Sequence, residues 1–194
     1  MKTSPIDLID ELILPGTELN AILVSHSRAV AAKAISIAEN LSNHSPDLDF
    51  IEEAALLHDI GIFLTHAPVI GCKGTYPYIS HGYLGRGLLE ERGLFRHALV
   101  CERHVGVGLS VDDIREQRLS LPERDMRPES LEEEIICYAD KFFSKKWQQS
   151  SRPLSFSSAC RNIARYGPDK LSRFLAWKAR FENSRSLTET GERP

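Results

Sequence analysis

Residues 54 to 63 read "AALLHDIGIF". Two ionisable side chains, His58 and Asp59, follow directly on Ala54, Ala55, Leu56 and Leu57. An apolar run of this kind enters a core, and a polar group carried there without a partner costs about 2–7 kcal/mol. Something elsewhere in the chain must satisfy both groups.

The flanking pattern is helical. From Leu19 to Leu41 the apolar positions are Leu19, Ile22, Leu23, Val30, Ala34, Ile37, Ala38 and Leu41, a 3.6-residue rhythm with His26 on the same stripe. "DFIEEAALLHDIG" has Asp49 as N-cap, Glu52 three residues later and Gly61 as its stop. "SHGYLGRGLLEERG" offers Ser80 as N-cap and Gly93 as stop. "LFRHALVCERHVGVG" reads as a short helix ending near His104. "ESLEEEIICYADKFFSKKW" opens on a Ser130–Glu133 capping box and carries its apolar face through Phe142 and Phe143. Two further helices are expected around 156–165 and 169–182. The face of the second is Leu171, Phe174, Leu175, Trp177 and Phe181, expected to cover the core rather than to form a dimer face. Two irregular stretches, "THAPVIGCKGTYPYIS" and "VGLSVDDIREQRLSLPERDMRP", have the length of functional loops. With no alternating strand pattern, the architecture is an all-α, single-domain bundle.

Bulk properties narrow the function. The chain has 194 residues, 26% charged and 42% hydrophobic, with a formal net charge of -3. That suits one soluble domain and gives no general pull toward nucleic acid or anionic membrane. The N-terminus carries Asp7, Asp10 and Glu11 and one lysine, so it does not read as a signal peptide. No stretch approaches the ~18 apolar residues of a membrane span, and a cytoplasmic protein is expected. The four cysteines form no C-x-x-C pair and read as free thiols.

The ionisable residues then fall into a pattern. His26, His58, Asp59, His81, His104 and Asp140 lie at inner faces or ends of successive helices. One such residue alone is usually a hydrogen-bonded core group. Together they resemble the metal sites that bundles assemble from facing helices. Imidazoles with two carboxylates suit zinc, iron, manganese or nickel.

The order His26, His58-Asp59, Asp140, with the strings "LLHDIG" and "YAD", resembles the HD superfamily of metal-dependent phosphohydrolases. The stretch from "ERHVGVGLS" to "YADKFF" is further similar to a subgroup of small HDIG-type proteins. The resemblance runs from about residue 20 to 146. It implies an HD domain over 19–150, with an N-terminal helical extension at 1–18, C-terminal helices packing on it at 151–182 and a polar tail at 183–194. It implies one divalent metal held by His26, His58, Asp59 and Asp140. His81 and His104 match the extra histidines of binuclear members, so Asp59 is expected to bridge two metals, drawn from Fe, Mn, Zn, Ni, Co or Mg. The chain lacks the extended GYP signature and the adjacent His-His pair of the cyclic-di-GMP enzymes. The implied activity is hydrolysis of a phosphate ester or anhydride of a small phosphorylated metabolite, nucleotides included, by water activated at the metals. Two alternatives stay open: a di-iron HD-fold oxygenase, and a nucleotide-binding regulatory domain. The protein is expected to be a monomer or homodimer without nucleic-acid or membrane partners.

Asp59, Arg103 and Lys141 are the candidate catalytic residues. The two cations adjoin ligands and would meet substrate phosphate. Lys73 and Arg86 are weaker candidates for the same task. Tyr76, Tyr78 and Tyr83 are candidates to stack on a base, against the plainer reading of local packing. His44 and His97 are expected on the surface, and His66 is a candidate for the pocket rim.

Overall fold

The computed structural model describes residues 3–42, 44–145 and 152–182. Its helices are α1 (Pro5–Leu12), α2 (Glu18–Glu39), α3 (Leu48–Leu57), α4 (His81–Glu90), α5 (Phe95–Arg103), α6 (Val111–Glu116), α7 (Leu131–Asp140), α8 (Phe156–Ala164) and α9 (Pro168–Glu182). A 3₁₀ turn, Ile60–Leu64, follows α3. The glycine-rich loop holds two-residue strands β1 (His66–Ala67) and β2 (Cys72–Lys73), paired antiparallel. This pair is too short to alternate and the fold is all-α, as expected; the second loop contains α6.

Local chemistry places the helix ends. Thr17 caps α2 by accepting from the Asn20 amide, and Ser130 caps α7 by accepting from Glu133. The α3 cap is Asp47, which accepts from Phe50, and not Asp49. The other half of the expected capping box is also revised: the Glu133 carboxylate accepts from the Glu129 amide and from Arg103, not from Ser130. Helix α7 stops at Asp140, seven residues short of the expected end.

The apolar residues form two main clusters. One joins Val30, Ala34 and Ile37 of α2 to Ala54 and Ala55 of α3, Ile135, Ile136 and Tyr138 of α7, and Phe174, Trp177 and Phe181 of α9. So α9 covers the core, although Leu175 of its expected face is exposed. The other joins α1 to Ile22, Leu23, Leu57, Ile60, Ile62, Leu89 and Cys101. Helix α2 serves both, and His26 lies on it between Leu23 of one cluster and Val30 of the other. By length and composition α2 is apolar enough to cross a membrane, contrary to expectation. Here its apolar residues are spent on the two cores.

Glycine brings the elements at this seam unusually close. A Cβ on Gly61 would lie 2.3 Å from both the Gly85 amide nitrogen and the His81 carbonyl oxygen, and one on Gly82 would lie 2.3 Å from the Cys101 carbonyl. Helix α4 is therefore pressed between the 3₁₀ turn on one side and α5 on the other. Gly61 acts less as the stop of a helix than as the contact surface for α4.

Candidate metal centre

The seam collects the six residues. Helix α2 carries His26 in its middle. His58 is the C-cap of α3, Asp59 opens the 3₁₀ turn, His81 begins α4, His104 is the C-cap of α5 and Asp140 ends α7. All six are buried.

Three of the four imidazoles are oriented by one device. The Nδ1 atoms of His58, His81 and His104 each lie 2.7 Å from the carbonyl oxygen three residues earlier, of Ala55, Tyr78 and Cys101. A carbonyl can only accept, so Nδ1 donates. A neutral ring then presents the Nε2 lone pair inward, the arrangement that second-shell carbonyls impose on metal-ligating histidine.

The inward atoms meet in two groups. Nε2 of His26 and His58 are 3.3 Å apart, and Nε2 of His81 and His104 are 3.1 Å apart. Asp59 spans both groups. Its Oδ2 is 3.3 Å from His26 and 3.1 Å from His58, while its Oδ1 is 3.2 Å from His81 and 3.3 Å from His104. Asp140 Oδ1 joins the first group, 3.0 Å from His26 and 3.5 Å from His58. Both carboxylate oxygens of Asp59 are buried, and neither accepts a well-aligned hydrogen bond from the described residues. Facing lone pairs repel unless a cation or proton lies between them. Adjacent ligands at ordinary bond lengths of ~2.1 Å are separated by about 3.0–3.4 Å, so the set fits divalent metal ions. One half would be His26, His58, Asp140 and Asp59 Oδ2. The other would be His81, His104 and Asp59 Oδ1.

Charge in the cluster is balanced by two lysines. Lys141 Nζ donates to Asp140 Oδ2 at 2.6 Å and to the His104 carbonyl at 3.1 Å. Lys145 Nζ lies 2.8 Å from Asp59 Oδ2. Burial works against both carboxylate charges, but the surrounding cations outweigh it and hold Asp59 and Asp140 well below the usual carboxylate range. Burial pushes His104 down to about 3. Burial also opposes charge on His58, yet Asp59 and Asp140 prevail and raise it to about 9. In metal-free protein a proton on His58 Nε2 thus takes the cation's place. A metal must displace it. Affinity for Mn²⁺ is therefore expected to rise, by up to about tenfold per pH unit, as pH increases from 6.5 toward 9, and to flatten above it. Calorimetric titration across that range checks this. A flat profile would show that no proton is exchanged.

A cavity of about 420 Å³ opens on the centre, lined on its floor by His81, His104, Asp140, Lys141 and Lys145. Tyr78, Phe143 and Tyr166 line its sides. Lys145 is the functional candidate that sequence reasoning missed. A helix continued through residue 147 turns Lys145 about 140° away from Asp140. No glycine or proline near residue 141 marks the actual stop, so only the folded chain reveals it.

Several expected positions are corrected. Arg103 does not line the cavity; its guanidinium is held by Glu133 at 3.0 Å and Glu129 at 3.1 Å. Arg86 is bound to Glu90 and to the buried Glu102, which Arg124 also holds. Lys73 and His66 are exposed on the strand pair and do not border the cavity. Of the three tyrosines only Tyr78 does; Tyr83 lies under Arg124. His97 is buried, 3.2 Å from Glu53 and edge-on to Phe50, rather than at the surface. His44 is exposed. All four cysteines are free thiols, and the polar tail from 183 lies outside the described residues.

The Arg103 correction has a measurable consequence. Arg103→Gln leaves the buried Glu133 without its main cation, at a cost of about 1–3 kcal/mol. For a chain of this length that is a Tm lower by roughly 2–12 °C. Substrate KM should stay within about twofold. A KM increase beyond tenfold with unchanged Tm would return Arg103 to the site.

Comparison with known proteins agrees with this geometry. The HD-domain family model matches residues 23–144, a span holding all six clustered residues, and the chain belongs to that family. An uncharacterised protein of Methanocaldococcus jannaschii is 35% identical over 121 residues, covering 61% of this chain and 64% of that one. A protein of Thermoplasma volcanium named tRNA (cytidine(56)-2′-O)-methyltransferase is 30% identical over 123 residues, covering 63% of this chain and 32% of its own. Its namesake from Picrophilus torridus is 28% identical over 134 residues, with 69% and 35% covered. The chain thus spans less than two thirds of the first relative and about a third of the other two. No solved structure matches the chain.

Proposed function

We propose that the protein is a metal-dependent phosphohydrolase with a binuclear centre, cleaving a phosphate ester or anhydride of a small metabolite. The observation that carries this reading is Asp59, whose two carboxylate oxygens each face a separate histidine pair. Divalent ions held there by Asp59 with the histidines and Asp140 would supply the Lewis acidity that polarises a phosphoryl group and acidifies water.

The chain's own residues do the rest. Lys141 stands at the cavity floor beside Asp140 and offers a fixed positive charge to an incoming phosphoryl oxygen. Val105, Val107, Leu109 and Ile163 give the cavity apolar walls beside the reacting group. Tyr78, Phe143 and Tyr166 offer flat faces to an organic leaving group, and Gln117 and Asn162 offer amides. A space of about 420 Å³ lies at the lower end of the ~300–1,000 Å³ usual for ligand pockets. That suits a phosphate carried on one nucleoside-sized group better than a dinucleoside chain.

The test combines metal analysis of protein purified without added metal with phosphate release from a panel. The panel holds mononucleotides, dinucleoside polyphosphates, sugar phosphates and, because two relatives are named for work on tRNA, an RNA 3′-phosphate. Phosphate release dependent on Asp59 and His58 supports the reading. Dioxygen consumption coupled to an organic substrate, with no phosphate released, would overturn it in favour of a di-iron oxygenase.

A further inference from the structure

We propose that Lys145 is an exchangeable counter-ion: it holds Asp59 Oδ2 in metal-free protein and, once divalent metal occupies the cluster, turns onto an anionic oxygen of the molecule in the cavity. The contrast between the two lysines supports this. Lys141 is bound to Asp140 Oδ2, while the other oxygen, Oδ1, is the one facing His26 and His58. A second bond, to the His104 carbonyl, fixes it further. Lys141 can therefore stay where it is when a metal arrives. Lys145 sits 2.8 Å from Asp59 Oδ2, the oxygen that faces Nε2 of His26 at 3.3 Å and of His58 at 3.1 Å. An ammonium and a divalent cation on one oxygen repel each other strongly. One of them must leave.

The structure also offers Lys145 somewhere to go. It stands on the irregular segment after α7 rather than on a helix, and its side chain borders the cavity with Tyr78, whose ring centre is 6.0 Å from Nζ. In metal-free protein Lys141 and Lys145 stand against Asp59 and Asp140. Each divalent ion brings more positive charge than any single proton it displaces, so metal loading makes the cavity floor favour an anion. Lys145, freed in the same event, is placed to bind it. Metal loading and anion binding are thereby coupled through one side chain.

This rests on the phosphohydrolase reading only for the identity of the anion, so inorganic phosphate is the probe. Mn²⁺ binding to the full chain, and phosphate binding to the Mn²⁺-loaded protein, would be measured by calorimetry for wild type, Lys145→Gln and Lys145→Arg. Thermal denaturation would verify that each is folded. Lys145→Gln should bind Mn²⁺ about tenfold more tightly and phosphate about tenfold more weakly, the scale of one nearby charge in a partly solvated site. Lys145→Arg should recover phosphate binding. A purely structural lysine would weaken both, and that result overturns the proposal, as does unchanged Mn²⁺ affinity. Tighter Mn²⁺ binding in Lys145→Gln, with no phosphate binding even by wild type, supports the exchange at Asp59 and overturns the phosphohydrolase reading.

Discussion

Asp59→Asn is expected to yield a folded protein that holds almost no metal and has lost phosphohydrolase activity by at least about 10³-fold, the scale of one removed electrostatic contact in an enclosed site. The substitution keeps the shape of the side chain and removes its charge. Both halves of the centre depend on that charge, since Oδ2 faces His26 and His58 while Oδ1 faces His81 and His104. Among the described residues no other carboxylate spans them: Asp140 Oδ1 approaches only the first pair. The loss should therefore be of two equivalents together. His104→Ala provides the contrast, because it strips one half of a ligand and leaves His26, His58, Asp59 and Asp140 intact. That protein should retain about one equivalent. Elemental analysis after dialysis against metal-free buffer reads both outcomes. Lys145 loses its partner in Asp59→Asn, but it borders the open cavity and can reach solvent, so Tm should fall only modestly. An Asp59→Asn protein that keeps one tightly held metal would show that the two halves are independent and that Asp59 does not bridge.

Four of the six clustered residues were legible before the fold because each breaks a local rule; His81 and His104, at helix ends, were assigned through the resemblance. His58 and Asp59 interrupt an apolar run, His26 sits on an apolar stripe, and Asp140 falls on the inner face of α7. Such violations concentrate where function offsets them. The six residues are indeed brought into one cluster. Residues judged by proximity in sequence fared differently. Arg103 adjoins His104, yet successive residues on a helix diverge by about 100°, and the turn that aims His104 inward aims Arg103 at Glu133 on α7. Lys141 adjoins Asp140 just past the end of its helix, where the chain is tightening, and it stays at the site. His97 shows the reverse error. A histidine on a short polar helix reads as exposed, but a cross-helix partner, Glu53, and the face of Phe50 make burial acceptable. Lys145 was invisible because nothing in "ADKFFSKK" breaks a helix. Its position follows from tertiary contacts that no local pattern encodes.

In the sequence "SHGYLGRGLLEERG" reads only as a helix between Ser80 and Gly93, and the structure gives its glycines a further meaning. Gly61→Ala is expected to be a severely disruptive single-methyl change next to the metal centre. The added carbon would sit 2.3 Å from the Gly85 amide nitrogen and from the His81 carbonyl, and 2.8 Å from Gly85 Cα. These are backbone atoms, so no rotamer change relieves the overlap. Helix α4 must move bodily, and it is held on its far side by Gly82 against the Cys101 carbonyl. Overpacking typically costs ~1–3 kcal/mol where side chains can yield. With backbone on both sides the upper end is the expected minimum, which corresponds to a Tm lower by at least about 6–12 °C. The movement also carries His81, the first residue of α4, away from His104, 3.1 Å distant between Nε2 atoms, and from Asp59. The half of the centre built from His81 and His104 should therefore fail first. At temperatures where the variant is still folded, it should bind about one equivalent of metal, with the His26, His58, Asp59 and Asp140 half retained. Two equivalents bound with wild-type affinity would mean that α4 relaxes along its own axis, and that the close approach at Gly61 serves packing without positioning the metal ligands.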